Sequence, residues 1–416
     1  MTFWHGFTVC LLSLPSMVHS ADWVSYGGNQ RNHHSTEKNL RVEWGNDEPE
    51  ELWRMKIGWG YSSVIESNGY AYCQGNENGK NTLFCLDSQT GDLVWTHQYP
   101  CRKDPKFFQG GSRATPVIFE NKVYLLSHEG DLYALNATDG KILWSLNVIS
   151  DLAGVRPDWG YSGCPLVVEG KIIIETGSPE GSLVALDSKN GSVVWRGGGH
   201  EAGYASPVLR KSAPSEILIF NQFGLSVHDL ENGQEVKSYQ HKTRFGVNAA
   251  QPLDLGSNVL ITSAYGKGAA LVNLNGSNPQ AIWESEAISC QMASLVYQGG
   301  YAFGIHGQAG GRSASQSTFF CLRIDRGKKV WEKKGYGLGS LILVNDTLVM
   351  LTENGELVLS EANPSEFNEL ASFQVLSGKA NWTAPTYSNG KMHCRSSRGD
   401  WVCLKMNQGS LDSFSK

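Results

Sequence analysis

The amino-acid sequence predicts an all-β protein and, within that class, an eight-bladed β-propeller of four-stranded antiparallel blades. Three observations lead to this prediction. A hairpin-forming unit recurs along the chain at intervals of 40 to 51 residues. Glycine is frequent, at 47 of 416 residues, whereas only 18% of residues are charged, which is typical of a turn-rich protein. The last repeat is incomplete, and the strand that it lacks is present near the N-terminus.

The first 20 residues predict a signal peptide. An apolar stretch from Phe7 to about Leu14 is followed by small residues that suit cleavage after Ser20. An uncleaved membrane anchor is the alternative, but the apolar run is too short to span a bilayer. No other segment of the sequence approaches 18 consecutive apolar residues. We therefore expect an exported protein, periplasmic or secreted, with an N-terminal extended segment at 21–45 and a propeller at 46–416.

The recurring unit reads Leu-x-small-Leu-Asp/Asn-x-x-x-Gly-x-x-x-Trp. Its clearest copies are LFCLDSQTGDLVW from Leu83, LYALNATDGKILW from Leu132 and LVALDSKNGSVVW from Leu183. Alternating apolar residues place one set of side chains on each face of a sheet. The Asp or Asn followed by Gly predicts a tight turn, because Asp bonds its own backbone and Gly accepts a positive φ. Each unit is therefore a β-hairpin.

The last position of the unit, here called the tryptophan slot, sets the repeat length. Weaker copies keep the register but place Lys237 and Ala371 in the slot. The eight slots are 53, 95, 144, 195, 237, 283, 331 and 371. A second pair of strands precedes each hairpin, as in TPVIFENKVYLL from Thr115, so one unit has four strands. Periods of this length are typical of propeller blades, which stack around an axis to bury both sheet faces.

The ends of the chain are predicted to share one blade. The segment from Ala384 supplies only three strands, and ELWRM from Glu51 supplies a fourth. Joining the N-terminal strand to the last blade closes the ring and removes exposed sheet edges between the chain ends. Two packed β-domains are the alternative, but they would not explain both the even spacing and the split unit.

Eight cysteines follow the predicted signal peptide, and an exported protein can form disulfides. Cys73 could bridge to Cys85, and Cys394 to Cys403, across their own hairpins, although each pair looks diagonal rather than directly opposed. The alternative is that they act as small buried residues, because Cys85 and Cys403 occupy the slot that Ala134 fills in another unit.

Short segments before the first strand of each blade are expected to converge on one mouth of the channel. The sequence WGYS occurs in two of them, at 59–62 and 159–162. Aromatic residues with a few polar groups in a concavity make a plausible ligand site. The alternative is that these rings pack between blades. The candidate ligand-binding residues are Trp59, Tyr61, Arg113, Trp159, Tyr161, Tyr204, Arg244 and Trp382, with Arg113 the best candidate for binding an anion.

The repeat resembles that of the pyrroloquinoline-quinone (PQQ) propellers, over about residues 45–405. This superfamily includes PQQ-dependent alcohol dehydrogenases and the outer-membrane assembly factor BamB. The sequence is most similar to secreted single-domain propellers called BamB-like, through WGYSGCPLVVEGK, AGYASPVL and FQVLSGKANWTAPTYSNGK. The resemblance implies an eight-bladed fold for the chain. Its implications for activity differ between the two groups.

Resemblance to the dehydrogenases would imply a catalytic Asp, a Ca²⁺ ion on oxygen ligands and a disulfide between adjacent cysteines. The sequence has no Cys-Cys pair and no obvious carboxylate-rich loop before a blade. We therefore predict no catalytic residue, no metal ligand and no cofactor. A PQQ-dependent or PQQ-binding dehydrogenase, with PQQ and calcium, is the first alternative.

The predicted function is an exported, non-catalytic binding or scaffolding module, BamB-like, with a protein or peptide partner. A small-molecule ligand is a further option, and a carbohydrate-binding accessory protein is the second alternative. The net charge of −5 gives no electrostatic argument for nucleic acid, which usually needs a basic patch. The sequence predicts no membrane span and leaves the oligomeric state open.

Overall fold

Eight antiparallel sheets form the blades of a ring in the computed structural model, which describes residues 21–106, 108–310 and 316–407. The predicted eight-bladed propeller is confirmed. The predicted signal peptide, residues 1–20, lies outside the described residues. In the part of the chain that the structure describes, no helix has the length and apolarity needed to cross a bilayer.

The strands are numbered in chain order. Two N-terminal strands come first, β1 (His34–Ser35) and β2 (Glu50–Lys56). Blades 1 to 4 follow, with strands β3 (Ile65–Ser67), β4 (Tyr70–Glu77), β5 (Lys80–Asp87), β6 (Leu93–Pro100); β7 (Val117–Phe119), β8 (Lys122–Leu126), β9 (Asp131–Asn136), β10 (Ile142–Asn147); β11 (Leu166–Val168), β12 (Lys171–Glu175), β13 (Leu183–Asp187), β14 (Val193–Gly197); β15 (Val208–Leu209), β16 (Glu216–Phe220), β17 (Gly224–Asp229) and β18 (Glu235–Gln240).

Blades 5 to 8 comprise β19 (Leu253–Asp254), β20 (Asn258–Ser263), β21 (Gly268–Asn273), β22 (Gln280–Ser285); β23 (Val296–Gln298), β24 (Tyr301–His306), β25 (Thr318–Arg323), β26 (Lys328–Lys334); β27 (Ser340–Val344), β28 (Thr347–Leu351), β29 (Glu356–Glu361), β30 (Glu369–Gln374); and β31 (Thr386–Ser388), β32 (Lys391–Arg395), β33 (Asp400–Lys405). A short 3₁₀ turn, Ile324–Arg326, follows β25. The first strand of each blade is innermost and the last is outermost.

The tryptophan slot joins each blade to the next one. The indole Nε1 of Trp95 in blade 1 donates a hydrogen bond to the backbone oxygen of Ala137 in blade 2, at 3.0 Å. The indole ring also lies against the turn glycine of blade 2, so that a Cβ at Gly140 would lie 2.5 Å from it. Five other tryptophans donate to a backbone oxygen of the following blade in the same way: Trp53, Trp144, Trp195, Trp283 and Trp331.

In five of the six tryptophan contacts, the indole ring lies against a turn glycine of the next blade. Blade 7 has Phe367 at this position instead, and its ring packs against Trp331 of blade 6 with centroids 5.8 Å apart. Blade 4 has Lys237 in its tryptophan slot, and blade 5 has Pro279 at the position of the turn glycine. Without an indole ring to accommodate, the glycine is not required. The repeat is therefore an interface between blades as well as a hairpin.

Strand β2 completes blade 8, as predicted. It pairs in antiparallel fashion with β33, and Trp53 lies opposite Cys403. The Trp53 ring packs edge-on against Trp401, with ring centroids 5.1 Å apart. The first blade strand in the chain thus lies beside the last one, and the ring is closed by non-covalent contacts.

Residues 22–37, here called the N-terminal plug, lie along the innermost strands. Trp23 forms a bridge with Glu66 of blade 1, and the backbone oxygen of Val24 accepts a hydrogen bond from Ile118 of blade 2 at 2.9 Å. Strand β1 pairs in parallel with β27 of blade 7. The sequence predicts an extended segment here, and the structure shows that this segment fills the central channel.

The plug enters and leaves by the same face of the ring, here called the hairpin face because the hairpins between first and second strands lie there. Asp22 accepts a hydrogen bond from Ser67, and Glu37 accepts one from the backbone of Gly390; both partners lie in or beside such hairpins. The middle of the plug reaches the opposite end of the inner strands, where Arg31 donates to the Cys164 backbone oxygen at 3.1 Å. The channel is therefore filled along its length.

The structure does not bring the predicted disulfide partners together. Cys85 lies opposite Tyr72, and Cys73 lies opposite Phe84. Since neighbouring side chains on a strand point to opposite faces, Cys73 and Cys85 lie on opposite faces of blade 1. The same register separates Cys394 from Cys403 in blade 8. All four thiols are buried and form no disulfide, which agrees with the alternative that they are small buried residues.

Candidate functional site

The loops that join the outermost strand of one blade to the innermost strand of the next, here called crossover loops, meet on the face opposite the hairpin face. Small residues at the end of these loops form a chain of hydrogen bonds around the axis. The backbone N–H of Ser63 donates to Thr115 Oγ1 at 2.9 Å, Thr115 N–H donates to Cys164 Sγ at 3.0 Å, and Cys164 N–H donates to Ser206 Oγ at 3.0 Å. The crossover loops are thus held in a fixed arrangement.

Aromatic side chains from five consecutive crossover loops lie on this crossover face in two contacting groups. The set, here called the aromatic arc, consists of Trp382, Tyr61, Phe108, Trp159 and Tyr204, which precede blades 8, 1, 2, 3 and 4 respectively. Tyr61 stacks on Trp382 with ring centroids 5.3 Å apart and contacts Phe108 at 5.6 Å. Trp159 packs edge-on against Tyr204 at 6.0 Å.

Arg113 connects the two halves of the arc. Its guanidinium carbon lies 5.1 Å from the centre of the Phe108 ring, and one of its amino groups donates to the backbone oxygen of Trp159. The side chain is only 5% exposed, and its charge is paired with Asp104 at 3.1 Å. Arg113 therefore holds the arc together, and this pairing leaves its guanidinium little capacity to bind an anion.

Arg113 belongs to a network of ion pairs beneath the aromatic arc. Asp104 also pairs with Arg156, which in turn contacts Glu129 at 3.1 Å. Burial alone would raise the pKa of Asp104, but hydrogen bonds from the two guanidinium groups lower it below its usual range. Arg102 pairs with Glu129 at 2.8 Å. The carboxylates are thus ionised and neutralised by arginine.

The exposed side of the arc carries neutral hydroxyl groups and lysines. Burial raises the pKa of Tyr61 to about 12, so its hydroxyl is a neutral donor, here to Gln109 Oε1 at 2.8 Å. The amine of Lys103 lies 3.5 Å from the centre of the Trp59 ring, and the amine of Lys106 lies 5.3 Å from that of Trp159. Such cation–π contacts fix long side chains over an aromatic surface.

The other predicted site residues fall outside the arc. Tyr161 is 3% exposed and donates to the backbone oxygen of Thr176 at 3.0 Å, so it is part of the core between blades. Arg244 is exposed and lies over Phe245, with its guanidinium carbon 5.2 Å from the ring centre. Trp59 is partly buried beside the arc under Lys103. Of the eight candidates, four are in the arc and Arg113 connects it.

Phe108, Lys103 and Lys106 were not predicted. They belong to the crossover loop 101–116, which is longer than most of the others and contains the sequence Lys-Asp-Pro-Lys-Phe-Phe. That length and composition are the signal that could have identified them, because long loops in compact domains are often functional.

Two cavities formed by the described residues lie away from the arc. One, of about 20 Å³, lies between the plug and blades 4 to 6, beside Arg31 and His33, and has room for about one water molecule. The other, of about 390 Å³, lies at the rim of blade 1 beside β6. The arc is thus a surface of packed rings, which suits an extended partner better than an enclosed small molecule.

The residues present do not fit PQQ with calcium. Within the described ranges, one group of side chains has the spacing of metal ligands, namely Asp104, His128 and Glu129. Arginines already bond both carboxylates, and burial together with Arg113 lowers the pKa of His128 to about 4. Calcium needs six to eight oxygen ligands, which this group does not provide. The plug also occupies the axis of the channel.

The blades, their repeat and the crossover loops define the PQQ-like class of β-propellers. The family model described as outer membrane protein assembly factor BamB matches residues 80–333, more than half of the chain. The chain belongs to this family.

The proteins that this chain is similar to include alcohol dehydrogenases and the assembly factor BamB. The chain is 27% identical over 201 residues to the dehydrogenase subunit of a quinone alcohol dehydrogenase from Gluconobacter oxydans; the match covers 43% of the chain and 25% of that relative. The chain thus spans about a quarter of that relative's length. Among solved structures, BamB from Moraxella catarrhalis aligns with a TM-score of 0.62, 15% identity and coverage of 87% and 99%. The quinohemoprotein alcohol dehydrogenase from Comamonas testosteroni aligns with a TM-score of 0.68, 14% identity and coverage of 94% and 81%.

Proposed function

We propose that the chain is an exported, non-catalytic binding module that holds a protein or peptide partner on its crossover face. The observation that carries this proposal is the aromatic arc. Rings from five crossover loops form two contacting groups, and Arg113, paired with Asp104, holds the two groups together. Aromatic residues that are already rigid lose little conformational entropy on binding, which is why they dominate protein interfaces.

Membership of the BamB family supports a partner of this kind, because that family is described by its part in assembling outer-membrane proteins. The lysines over Trp59 and Trp159 add positive charge at the edge of the arc. We infer that the partner presents an extended segment with aromatic or aliphatic side chains and an acidic group near them.

Photo-crosslinking tests this proposal. A photoreactive phenylalanine analogue replaces Tyr61 or Trp382 in the arc, or Tyr70 on the hairpin face of the same blade as a control. Tyr70 is 40% exposed, so the control position is accessible. In cells that make the protein, we expect one shared adduct from the two arc positions and none from position 70. The adduct should disappear when Phe108→Ala is added. Equal labelling at all three positions would contradict the proposal.

The sequence similarity to quinone alcohol dehydrogenases supports a second candidate, a PQQ-binding dehydrogenase. Calorimetric titration of the chain from Ala21 with PQQ and Ca²⁺ distinguishes the two functions. We expect no binding heat at concentrations well above micromolar, because arginines already bond the carboxylates and the plug fills the channel. Saturable binding at one site would favour the dehydrogenase.

A further inference from the structure

The outermost strand of each blade presents one unpaired edge to solvent, and natural proteins protect such edges, often with charged side chains. Six of the eight outermost strands contain at least one charged residue: β2, β14, β18, β22, β26 and β30. Strands β6 and β10 contain none. Blades 1 and 2 therefore lack the charged side chains that the other outermost strands carry, and in β6 a proline stands only at the last position, Pro100.

Strand β6 is the better developed of these two edges. It has eight residues, whereas β10 has six. Both strands begin with two exposed apolar side chains, Leu93 at 55% and Val94 at 44% in β6, and Ile142 at 52% and Leu143 at 47% in β10. A longer edge allows more backbone hydrogen bonds to an added strand, and exposed apolar residues favour burying it.

A groove runs beside this edge. The cavity of about 390 Å³ lies between blade 1 and the end of β2 in blade 8, and is lined by Ile57, Glu77, Asn78, Lys80, Thr82, Phe84, Thr96 and Gln98. Thr96 and Gln98 belong to β6 itself and lie opposite Phe84 and Thr82 of β5. The other face of β6 is already covered, because Tyr99 packs on Tyr133 of blade 2.

From these observations we infer that the edge of β6 is a docking site for an extended strand of another protein. The added strand pairs its backbone with β6, and its alternate side chains enter the groove beside Phe84. Because the groove is lined mainly by uncharged groups, the side chains that enter it are uncharged and of moderate size, such as threonine and valine. This is the strand-addition mode of peptide recognition.

A single strand suits the site better than a second copy of this chain. Eight residues extend over about 27 Å, at about 3.4 Å per residue. The rim of a propeller is convex, so two copies would touch only along this line and could not fill the groove. A stable dimer buries about 1,200 Å² or more, which such a contact does not reach.

The test uses a fluorescein-labelled peptide of alternating threonine and valine with a C-terminal lysine for solubility, and follows its anisotropy. Val94→Lys places a positive charge on the β6 edge. The matched control is Val330→Lys, because Val330 also precedes a tryptophan slot and is 46% exposed, but lies in the charged strand β26. We expect Val94→Lys to weaken peptide binding at least tenfold and Val330→Lys to change it less than twofold.

Two further measurements separate strand pairing from non-specific adhesion. A peptide with N-methyl groups on alternate residues cannot donate along one edge and should not bind. Hydrogen exchange should show protection of residues 93–100 on binding and no change in β26. Equal effects of the two lysine variants, or binding of the N-methylated peptide, would refute the inference. Dimers in sedimentation that Val94→Lys abolishes would refute it in favour of a second copy.

This site is separate from the aromatic arc, so the two proposals fail independently. The double variant Tyr61→Ala, Trp382→Ala should leave peptide binding at β6 unchanged. Val94→Lys should likewise leave the crosslink from position 61 in place.

Discussion

At the scale of single residues, the turn glycines decide how closely one blade approaches the next. Gly233 has a φ of 73°, and a Cβ there would lie 2.4 Å from the Trp195 ring. Gly276 has a similar φ of 77° but has open space around it. The two glycines therefore share a backbone conformation and differ in their contact with a tryptophan.

We expect Gly276→Ala to lower the free energy of unfolding by about 1–2 kcal/mol, the cost of the left-handed conformation for a residue with a Cβ. Gly233→Ala should lower it by about 1–3 kcal/mol more, because the added methyl group overpacks the contact between blades. Urea denaturation of both variants measures the difference. Equal losses would show that the tryptophan contact does not constrain this position.

The residue scale also shows where sequence reasoning was sufficient and where it was not. The Gly and Trp of the repeat were recognisable because the same local chemistry recurs in several blades. The pairing of Arg113 with Asp104 was not, because nothing in the loop sequence indicates which charges become buried together. Whether Tyr161 lines the mouth or packs between blades stayed open for the same reason, since the same WGYS sequence occurs in two loops that pack differently.

At the scale of elements, the sequence predicted an extended N-terminal segment but not its position in the central channel. Its residues carry no repeat and no hydrophobic period, so sequence patterns give no partner for it. Its contacts come from several blades around the channel, which are brought together only when the ring has formed. The hairpins were predictable because each is stabilised by residues close in sequence. The plug is stabilised only by contacts with blades that are distant in sequence.

Acid should weaken the hold of the plug through His33. This side chain is 2% exposed, bonds Gln251 at 3.2 Å and lies edge-on to Tyr26. Burial, opposed by the bond to Gln251 and aided by the charge of Arg31, lowers its pKa to about 4. The folded pKa lies below the unfolded value, so this stabilisation is present above pH 6.5 and is lost as pH falls towards 4. The shift of the pKa from 6.5 to about 4 corresponds to about 3 kcal/mol of unfolding free energy.

Between pH 6.5 and pH 4, we expect the free energy of unfolding to fall less in His33→Asn than in the unaltered chain. The slope of this free energy against pH should differ by the equivalent of about one proton. Denaturation at a series of pH values measures this. In the unaltered chain, the protection of residues 22–37 against hydrogen exchange, taken relative to the intrinsic exchange rate at each pH, should also be lower at pH 4.5 than at pH 7. Identical pH slopes in the two proteins would show that His33 does not titrate in this range.

At the scale of the whole molecule, the ring depends on the single non-covalent joint between β2 and β33. Trp53 in this joint has a counterpart, Trp195, in a blade made from continuous chain. Both are 8% exposed, and both donate to a backbone oxygen of the next blade, at 3.1 Å and 3.0 Å. The two tryptophans therefore make the same local contact in different topological positions.

Trp53→Ala and Trp195→Ala should each lower the free energy of unfolding by about 3–5 kcal/mol. Only Trp53→Ala should also accelerate hydrogen exchange in β2 and β33 at concentrations of urea too low for global unfolding. The reason is that no hairpin joins β2 to the other strands of its blade, whereas a short hairpin joins β14 to β13. Equal exchange in both variants would mean that the joint opens only when the whole ring unfolds.

The path of the plug fixes the face of the ring on which residue 21 lies. The backbone oxygen of Ala21 accepts a hydrogen bond from Ser388, beside the turn between the first two strands of blade 8. Residue 21 therefore lies at the hairpin face, and the aromatic arc lies on the opposite face. Immobilised by its N-terminus on a sensor surface or a carrier, the propeller would stand with its rings turned outward, available to a partner arriving from solution.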